Sequence, residues 1–272
     1  MKKIIAIVLL AVLGLMCFAS CGAPQTDKEY IKAKGKLVVG ITEYPPMDFK
    51  DENGNWIGFD ADMARLAAEE LGVEVEFVVI EWKKKTTELQ SKNIDLIWNG
   101  MTATDELDEA LDFSVSYAEN KQVVVTTAAN AGKYTTIEAL KSAKIAVEDA
   151  SAGDITATET VAATTINRVG NQSAALLEVK AGTSDVAIID QTMAAGLVGK
   201  GDYADLVMID PAVISFSREI FAVGCRTGSD MVAFLNEVFK KYYDNGKMAE
   251  LVEEYEEYGS IVLNDTALDA LN

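Results

Sequence analysis

The chain contains no histidine, and that absence excludes more chemistry than any motif in it supplies. Neither a Ser-His-Asp nor a Cys-His catalytic arrangement can be assembled, and a histidine-ligated zinc site is ruled out. Cysteine is nearly missing as well: Cys17, Cys21 and Cys225 are the three present, and no C-x-x-C metal spacing occurs. Positive charge is scarce. Lys and Arg number 24 against 43 Asp and Glu, a formal net charge of −19, so a phosphate backbone meets no basic surface and nucleic acid is not expected as a partner. The acidic excess reads first as solubility. The phosphate-cradling patterns G-x-x-x-x-G-K-[ST] and G-x-G-x-x-G are both absent. "DENGNW" at 51–56 comes near a calcium loop, but Trp56 stands where the loop needs glycine and the distal glutamate is missing. Asn53-Gly54 reads better as a hairpin turn. No metal or cofactor is expected.

A chain of 272 residues can bury a sizeable core in one or two domains. Residues 1–20 are expected to lie outside the fold: "MKK" is a basic n-region, and residues 4–18 form an apolar run too short to span a bilayer but suited to a secretory signal. The run ends in "FASC", which resembles a bacterial lipobox with Phe18 in the usual leucine place. That likeness implies cleavage before Cys21, a diacylglyceryl thioether on its sulfur and acylation of its amine, as with palmitate. An ordinary signal peptide with an incidental cysteine is the plainer alternative. Residues 21–35 then read as a polar tether. Once Cys17 is removed and Cys21 lipidated, Cys225 is left alone in "FAVGCR", as a small core residue.

From Leu37 onward, short β-rich runs alternate with amphipathic helices. "LVVGI" is a strand, and "FKDENGNWIGF" a hairpin excursion. Phe59, Met63, Leu66, Ala67 and Leu71 share one helical face ended by Gly72. "VEVEFVVI" is a strand, "KKTTELQSK" a helix and "IDLIW" a strand. Thr104 is the expected N-cap of a helix whose first turn holds Asp105 and Glu106. The pattern then restarts with "KIAVE", "TTINRV" and "SDVAIID" as strands and "QSAALLEVKAG" as a helix. Such alternation predicts an α/β fold with largely parallel sheets. Two units joined through "KQVVVTT" and "SFSREIFAVG" imply two lobes, residues 36–124 with 219–272 and residues 125–218. The C-terminal helices should pack on the first lobe, with "EEYEEYG" as a solvated acidic end. Ligands of open α/β sheets sit beyond the carboxyl ends of strands. This singles out residues 42–46, Trp82, residues 99–104, and the end of "KIAVE" together with Asp190.

"GFDADMARLAAEELGVEVEFVVIEW", "NGMTATDE", "LDFSVSY", "KIAV" and "SDVAIID" resemble the extracellular solute-binding proteins of family 3, the polar-amino-acid receptors of ABC importers. The resemblance runs from about Lys36 to Gly259. It implies a type II periplasmic-binding fold with two α/β lobes on a two-strand hinge, closing on one ligand. It also implies a monomer that delivers its solute to the transmembrane permease subunits from the outer face of the cytoplasmic membrane or the periplasm, held there by its N-terminal lipid. By the same resemblance, Tyr44 and Trp82 sandwich the ligand, and Asn99, Gly100 and Thr102 meet its amine and carboxylate. Ser151 and Ala152 offer N–H groups to the carboxylate, and Asp190 pairs with the α-ammonium. Each has a plainer alternative, such as core packing for the aromatics or helix capping for Asp190.

The sequence departs from the family at Leu107, where members carry an arginine that clamps the α-carboxylate as a charge-assisted fork worth about 1.5–3 kcal/mol. Three explanations are open. Arg218 can replace it in space; the ligand can be an amine without a carboxylate, held by Asp190, Glu43 and the aromatics; or an amino acid can bind weakly. Glu148 also lies near the expected cleft. A cleft enzyme resembling arogenate or prephenate dehydratases and a ligand-sensing receptor are the alternative functions.

Overall fold

The structure is a computed structural model describing residues 25–271. The expected signal segment and the lipidation site Cys21 lie outside the described residues.

Two sheets carry the molecule. The strands are β1 (Lys36–Ile41), β2 (Phe49–Lys50), β3 (Trp56–Ile57), β4 (Glu74–Val79), β5 (Leu96–Ile97), β6 (Leu111–Phe113), β7 (Ala118–Thr127), β8 (Lys144–Glu148), β9 (Thr165–Val169), β10 (Val186–Asp190), β11 (Leu206–Met208), β12 (Arg218–Phe221), β13 (Gly224–Arg226) and β14 (Val262–Leu263). The first sheet runs β4-β1-β5-β13-β6 and the second β11-β7-β10-β8-β9. β1 is parallel to β4 and β5, and β8 is parallel to β9 and β10. The strands returning from each crossing, β13 and β7, run antiparallel to their neighbours. This is the architecture of two α/β lobes joined by two strands.

The hinge is β7 with β12. Residues Ala118 to Lys121 of β7 pair with β12, and from Gln122 onward β7 pairs with β10 of the second sheet. The chain therefore enters the second sheet at Gln122, slightly before the expected change at residue 125.

Local sequence explains the elements that build the first lobe. Helix Phe59–Leu71 buries Phe59, Met63, Ala67 and Leu71 at helical spacing, and Gly72 closes it in the left-handed region. Helix Met231–Asp244 buries Met231, Phe234, Leu235, Val238, Phe239 and Tyr242 and packs on it. Between them Tyr117 stacks on Phe239 at 5.2 Å, and Trp98 meets Phe239 edge-on at 5.5 Å. The second lobe has its own core of Val124, Leu140, Ile145, Val147, Val186 and Ile188. Cys225 is fully buried in β13, as its apolar run predicts.

Two expectations need correction. Residues 21–35 are not all tether: Thr26 and Glu29 form a capping box that starts helix Asp27–Lys34. That helix is docked by buried Ile31 and by the Arg226–Asp27 and Lys34–Asp95 ion pairs of 2.9 and 2.5 Å. The acidic C-terminal stretch is not simply solvated, since Tyr255 is buried, donates to Asp62 Oδ2 at 2.5 Å, and packs with Phe49 and Tyr258. The helix capped by Thr104 forms as expected, as the single turn Asp105–Asp108, after which the chain re-enters the first sheet as β6. The hairpin at Asn53-Gly54 forms as expected: β2 pairs β3, and Asp51 Oδ1 accepts from the Asn53 and Asn55 N–H groups.

Candidate functional site

The carboxyl ends of β1, β4, β5, β8 and β10 converge on one cavity between the two sheets. Tyr44, Trp82, Asn99, Gly100, Thr102, Ser151, Ala152 and Asp190 all line it. Two residues proposed from the sequence do not. Glu43 is exposed and absent from the lining, because Tyr44, next along the chain, is the one turned inward. Arg218 is held outside by Glu119 Oε1 at 2.6 Å and Asn264 Oδ1 at 3.3 Å, with just over half its side chain exposed (56 %). The replacement of the missing arginine by Arg218 is therefore corrected: Arg218 does not line the cavity, and its guanidinium is already paired with Glu119 and Asn264.

The first-lobe turn is rigidly supported. Asn99 Oδ1 accepts from the Thr42 N–H at 2.9 Å and the Thr42 hydroxyl at 2.7 Å. Its Nδ2 donates to the Thr42 carbonyl at 3.0 Å and to Asp48 Oδ2 at 2.7 Å. The Asn99 side chain is thus consumed in tying two strand ends together. Gly100 has φ +53, and a Cβ there would lie 2.4 Å from Tyr44 Cε1. Glycine is required twice over, for the left-handed backbone and for the approach of the tyrosine ring. The Gly100 N–H donates to buried Asp60 at 2.6 Å, which also accepts from the Tyr117 hydroxyl at 2.8 Å. Burial, relieved only in part by those donors, pushes Asp60 up to about 7. Thr104 caps its turn by accepting from the Leu107 N–H at 3.2 Å. Leu107 lines the cavity and packs against the cluster that holds Trp82 and Leu89.

On the second lobe, Ser151 caps helix Ala152–Ile155, accepting from the Asp154 N–H at 3.2 Å. Gly153 brings that turn onto β10, since a Cβ would stand 2.5 Å from the Ile188 carbonyl oxygen. Asp190 ends β10, 5 % exposed. Its Oδ1 accepts from Asn120 Nδ2 at 2.5 Å and Gln122 Nε2 at 2.6 Å, and its Oδ2 accepts from Gln172 Nε2. Every one of these donors is a neutral amide. They orient the carboxylate without neutralising it, and burial raises its pKa against their pull. Asn120 and Gln122 also donate to Glu219 Oε2 at 3.1 and 2.9 Å. Glu219 lies on β12, so the two hinge strands carry a single network ending in Asp190. Burial and the nearby Asp190 charge push Glu219 up to about 7.

Two more lining residues are ionisable: Glu148, which the sequence already placed near the cleft, and Lys85, which went unassigned. Glu148, at the end of β8, is 4 % exposed, and its Oε1 is buried without a hydrogen-bond partner. Burial, then Asp190, raises it to about 8. Lys85, 6 % exposed, places its ammonium 4.8 Å from the Trp82 ring centroid and donates to the Ala150 carbonyl of the opposite lobe at 3.0 Å. Burial lowers it to about 8. At the rim, Lys83 spans the same gap to Asp149 at 2.9 Å. The arrangement is a desolvated pocket closed by contacts between lobes, with fixed carboxylates on one wall and an ammonium on another. It suits a small solute bearing charges of both signs.

Comparison with known proteins gives the same picture. The model of the bacterial extracellular solute-binding proteins, family 3, matches residues 37–258. The L-cystine-binding protein TcyJ of Escherichia coli (strain K12) is 26% identical over 254 residues, covering 93% of this chain and 92% of that protein. Among solved structures, a mutant of ArgBP from T. maritima has a TM-score of 0.79 at 32% identity, covering 85% of this chain and 99% of that one. An amino acid ABC transporter substrate-binding protein from Streptococcus pneumoniae, bound to L-arginine, has a TM-score of 0.78 at 30% identity over 87% of this chain and 100% of that one. With the two-lobed fold, the strand-end cavity and this match along most of its length, the chain belongs to the bacterial extracellular solute-binding proteins, family 3.

Proposed function

We propose that the protein captures an amine-bearing small solute, foremost an α-amino acid, in the cavity between its lobes and hands it to the transmembrane subunits of an ABC importer. One observation carries this reading. Asp190 is a buried carboxylate whose neighbouring donors, the amides of Asn120, Gln122 and Gln172 and the Tyr44 hydroxyl, are all uncharged, so the charge it needs for balance must come from what enters the cavity. An ammonium seated there gains an ion pair in a desolvated site. Tyr44 and Trp82 offer faces that hold the apolar part of the solute, while Thr102, Ser151 and Ala152 offer polar contacts to its other end. Closing the lobes around the solute distinguishes loaded from empty protein, which is what a permease must sense.

The same reading makes the protein a binder and not an enzyme, with its lobes dividing along the two hinge strands and no need of a partner copy. It further holds that the chain is cut before Cys21 and anchored through lipid on that sulfur. Helix Asp27–Lys34 docks on the first lobe, which leaves a short link between anchor and body.

The test is calorimetric titration of refolded, ligand-stripped protein against the standard amino acids and their decarboxylated amines, with mass spectrometry of each mixture for turnover. Saturable one-to-one binding without chemical change is expected. Failure of every amine-bearing solute to bind, or conversion of one, refutes the reading.

A further inference from the structure

We propose that Lys85 receives the carboxylate of the bound solute and so does the work of the arginine that Leu107 replaces. This deepens the reading above and rests on it. Lys85 is the one Lys or Arg among the residues lining the cavity. It is buried, and its only hydrogen-bond acceptor is the neutral carbonyl of Ala150. No carboxylate reaches it within ion-pair distance among the described residues; Glu148, Glu106 and Asp149 act on it only through space. A buried ammonium without a counter-ion is costly, and the low value of about 8 to which burial drives it expresses that cost. A carboxylate brought in by the solute would remove it.

Location supports the same conclusion. Lys85 opens helix Lys85–Gln90 directly after the 3-10 turn Trp82–Lys84, so its side chain lies across the face of Trp82. It feels the charge of Glu106, the neighbour of Leu107, and Leu107 packs in the cluster that contains Trp82. The ammonium therefore stands in the corner where an arginine at position 107 would also reach. Two cations in that desolvated corner would repel each other, so leucine at 107 and lysine at 85 belong together. With Asp190 taking the ammonium and Lys85 the carboxylate, the solute is a zwitterionic α-amino acid and not a simple amine.

The experiment measures affinities of wild-type, Lys85→Met, Lys85→Arg and Lys85→Met/Leu107→Arg proteins by calorimetry. The probes are matched pairs: L-arginine with agmatine, L-histidine with histamine, and L-lysine with cadaverine. Methionine keeps the packing on Trp82 and removes only the charge. In the wild type, one amino acid should bind at least about 30-fold more tightly than its amine, as a charge-assisted contact provides. Lys85→Met should shrink that ratio to below about fivefold while leaving the amine nearly unchanged; Lys85→Arg should keep it, and adding Leu107→Arg should restore it. An amine that binds the wild type as tightly as its amino acid overturns the assignment, as does a ratio that survives in Lys85→Met. If none of the standard amino acids and none of their decarboxylated amines binds the wild type, the parent reading falls and takes this one with it; if another amino acid binds, that amino acid and its amine form the matched pair.

Discussion

Replacing Asp190 by asparagine separates a binding carboxylate from a structural one, because the two roles predict effects of very different size. In the empty protein, Asp190 accepts three amide hydrogen bonds, from Asn120, Gln122 and Gln172. Asparagine keeps an oxygen for the first two, but its own N–H₂ group faces the Gln172 donor. Folding should therefore lose about 1–2 kcal/mol, the worth of one hydrogen bond left unmade. Binding should lose more. The ammonium of the solute would be desolvated without its counter-charge, a loss of about 3–5 kcal/mol, or roughly 100- to 4,000-fold in Kd. Urea denaturation of ligand-stripped protein reads the first quantity and calorimetric titration with the tightest-binding amino acid reads the second. A Kd within threefold of wild type, in a variant that still folds, would refute the assignment of Asp190 to the ammonium.

Other consequences follow from the same geometry. Asp60, Glu219 and Glu148 are raised to about 7, 7 and 8 by burial, above their unfolded values. The stability they contribute is complete below about pH 4 and is lost as pH rises through 7 to 8, so the melting temperature of the empty protein should fall between pH 5.5 and 8; a rise would contradict these assignments. Gly100→Ala forces a Cβ to within 2.4 Å of Tyr44 at φ +53 and should cost about 1–3 kcal/mol in a urea titration, with an unchanged midpoint as the opposing result. Lys83→Ala removes a rim ion pair to Asp149 that is partly solvated, so affinity should drop by no more than about fivefold and the difference should vanish in high salt. Cys225, fully buried and with its thiol pushed well up by burial, should resist alkylation in the native protein and react only on unfolding, as read by peptide mass mapping.

Much of this was legible in the sequence because strand ends are easy to read. The runs "LVVGI", "VEVEFVVI", "IDLIW", "KIAVE" and "SDVAIID" mark the five strands whose carboxyl ends meet at the cavity, and Tyr44, Trp82, Gly100, Thr102, Ser151 and Asp190 follow from their ends. Depth was harder to read. In "WKKK", three adjacent lysines have three fates: Lys83 pairs across the rim with Asp149, Lys84 pairs with Glu81 in its own turn, and Lys85 is buried in the cavity. As text they are one solvated basic run; only the tightness of the turn after Trp82 distinguishes them. The signal that could have found Lys85 is its place three residues beyond a strand-end aromatic, on the inner face of that turn. Glu219 was hidden for another reason. It sits on a hinge strand, and its link to Asp190 runs through Asn120 and Gln122, nearly a hundred residues earlier in the chain. Asn99 shows the converse, a residue in the expected place whose side chain is spent on Thr42 and Asp48.

A crystal structure of the protein with the amino acid that binds it most tightly puts both ends of the solute on view at once. Its α-ammonium should lie within hydrogen-bond distance of Asp190 and its carboxylate within ion-pair distance of the Lys85 ammonium, with the Tyr44 and Trp82 rings on either side. An ammonium directed away from Asp190, or a solute bound outside the cavity between the lobes, would contradict the proposal that this cavity is built to recognise an amino acid.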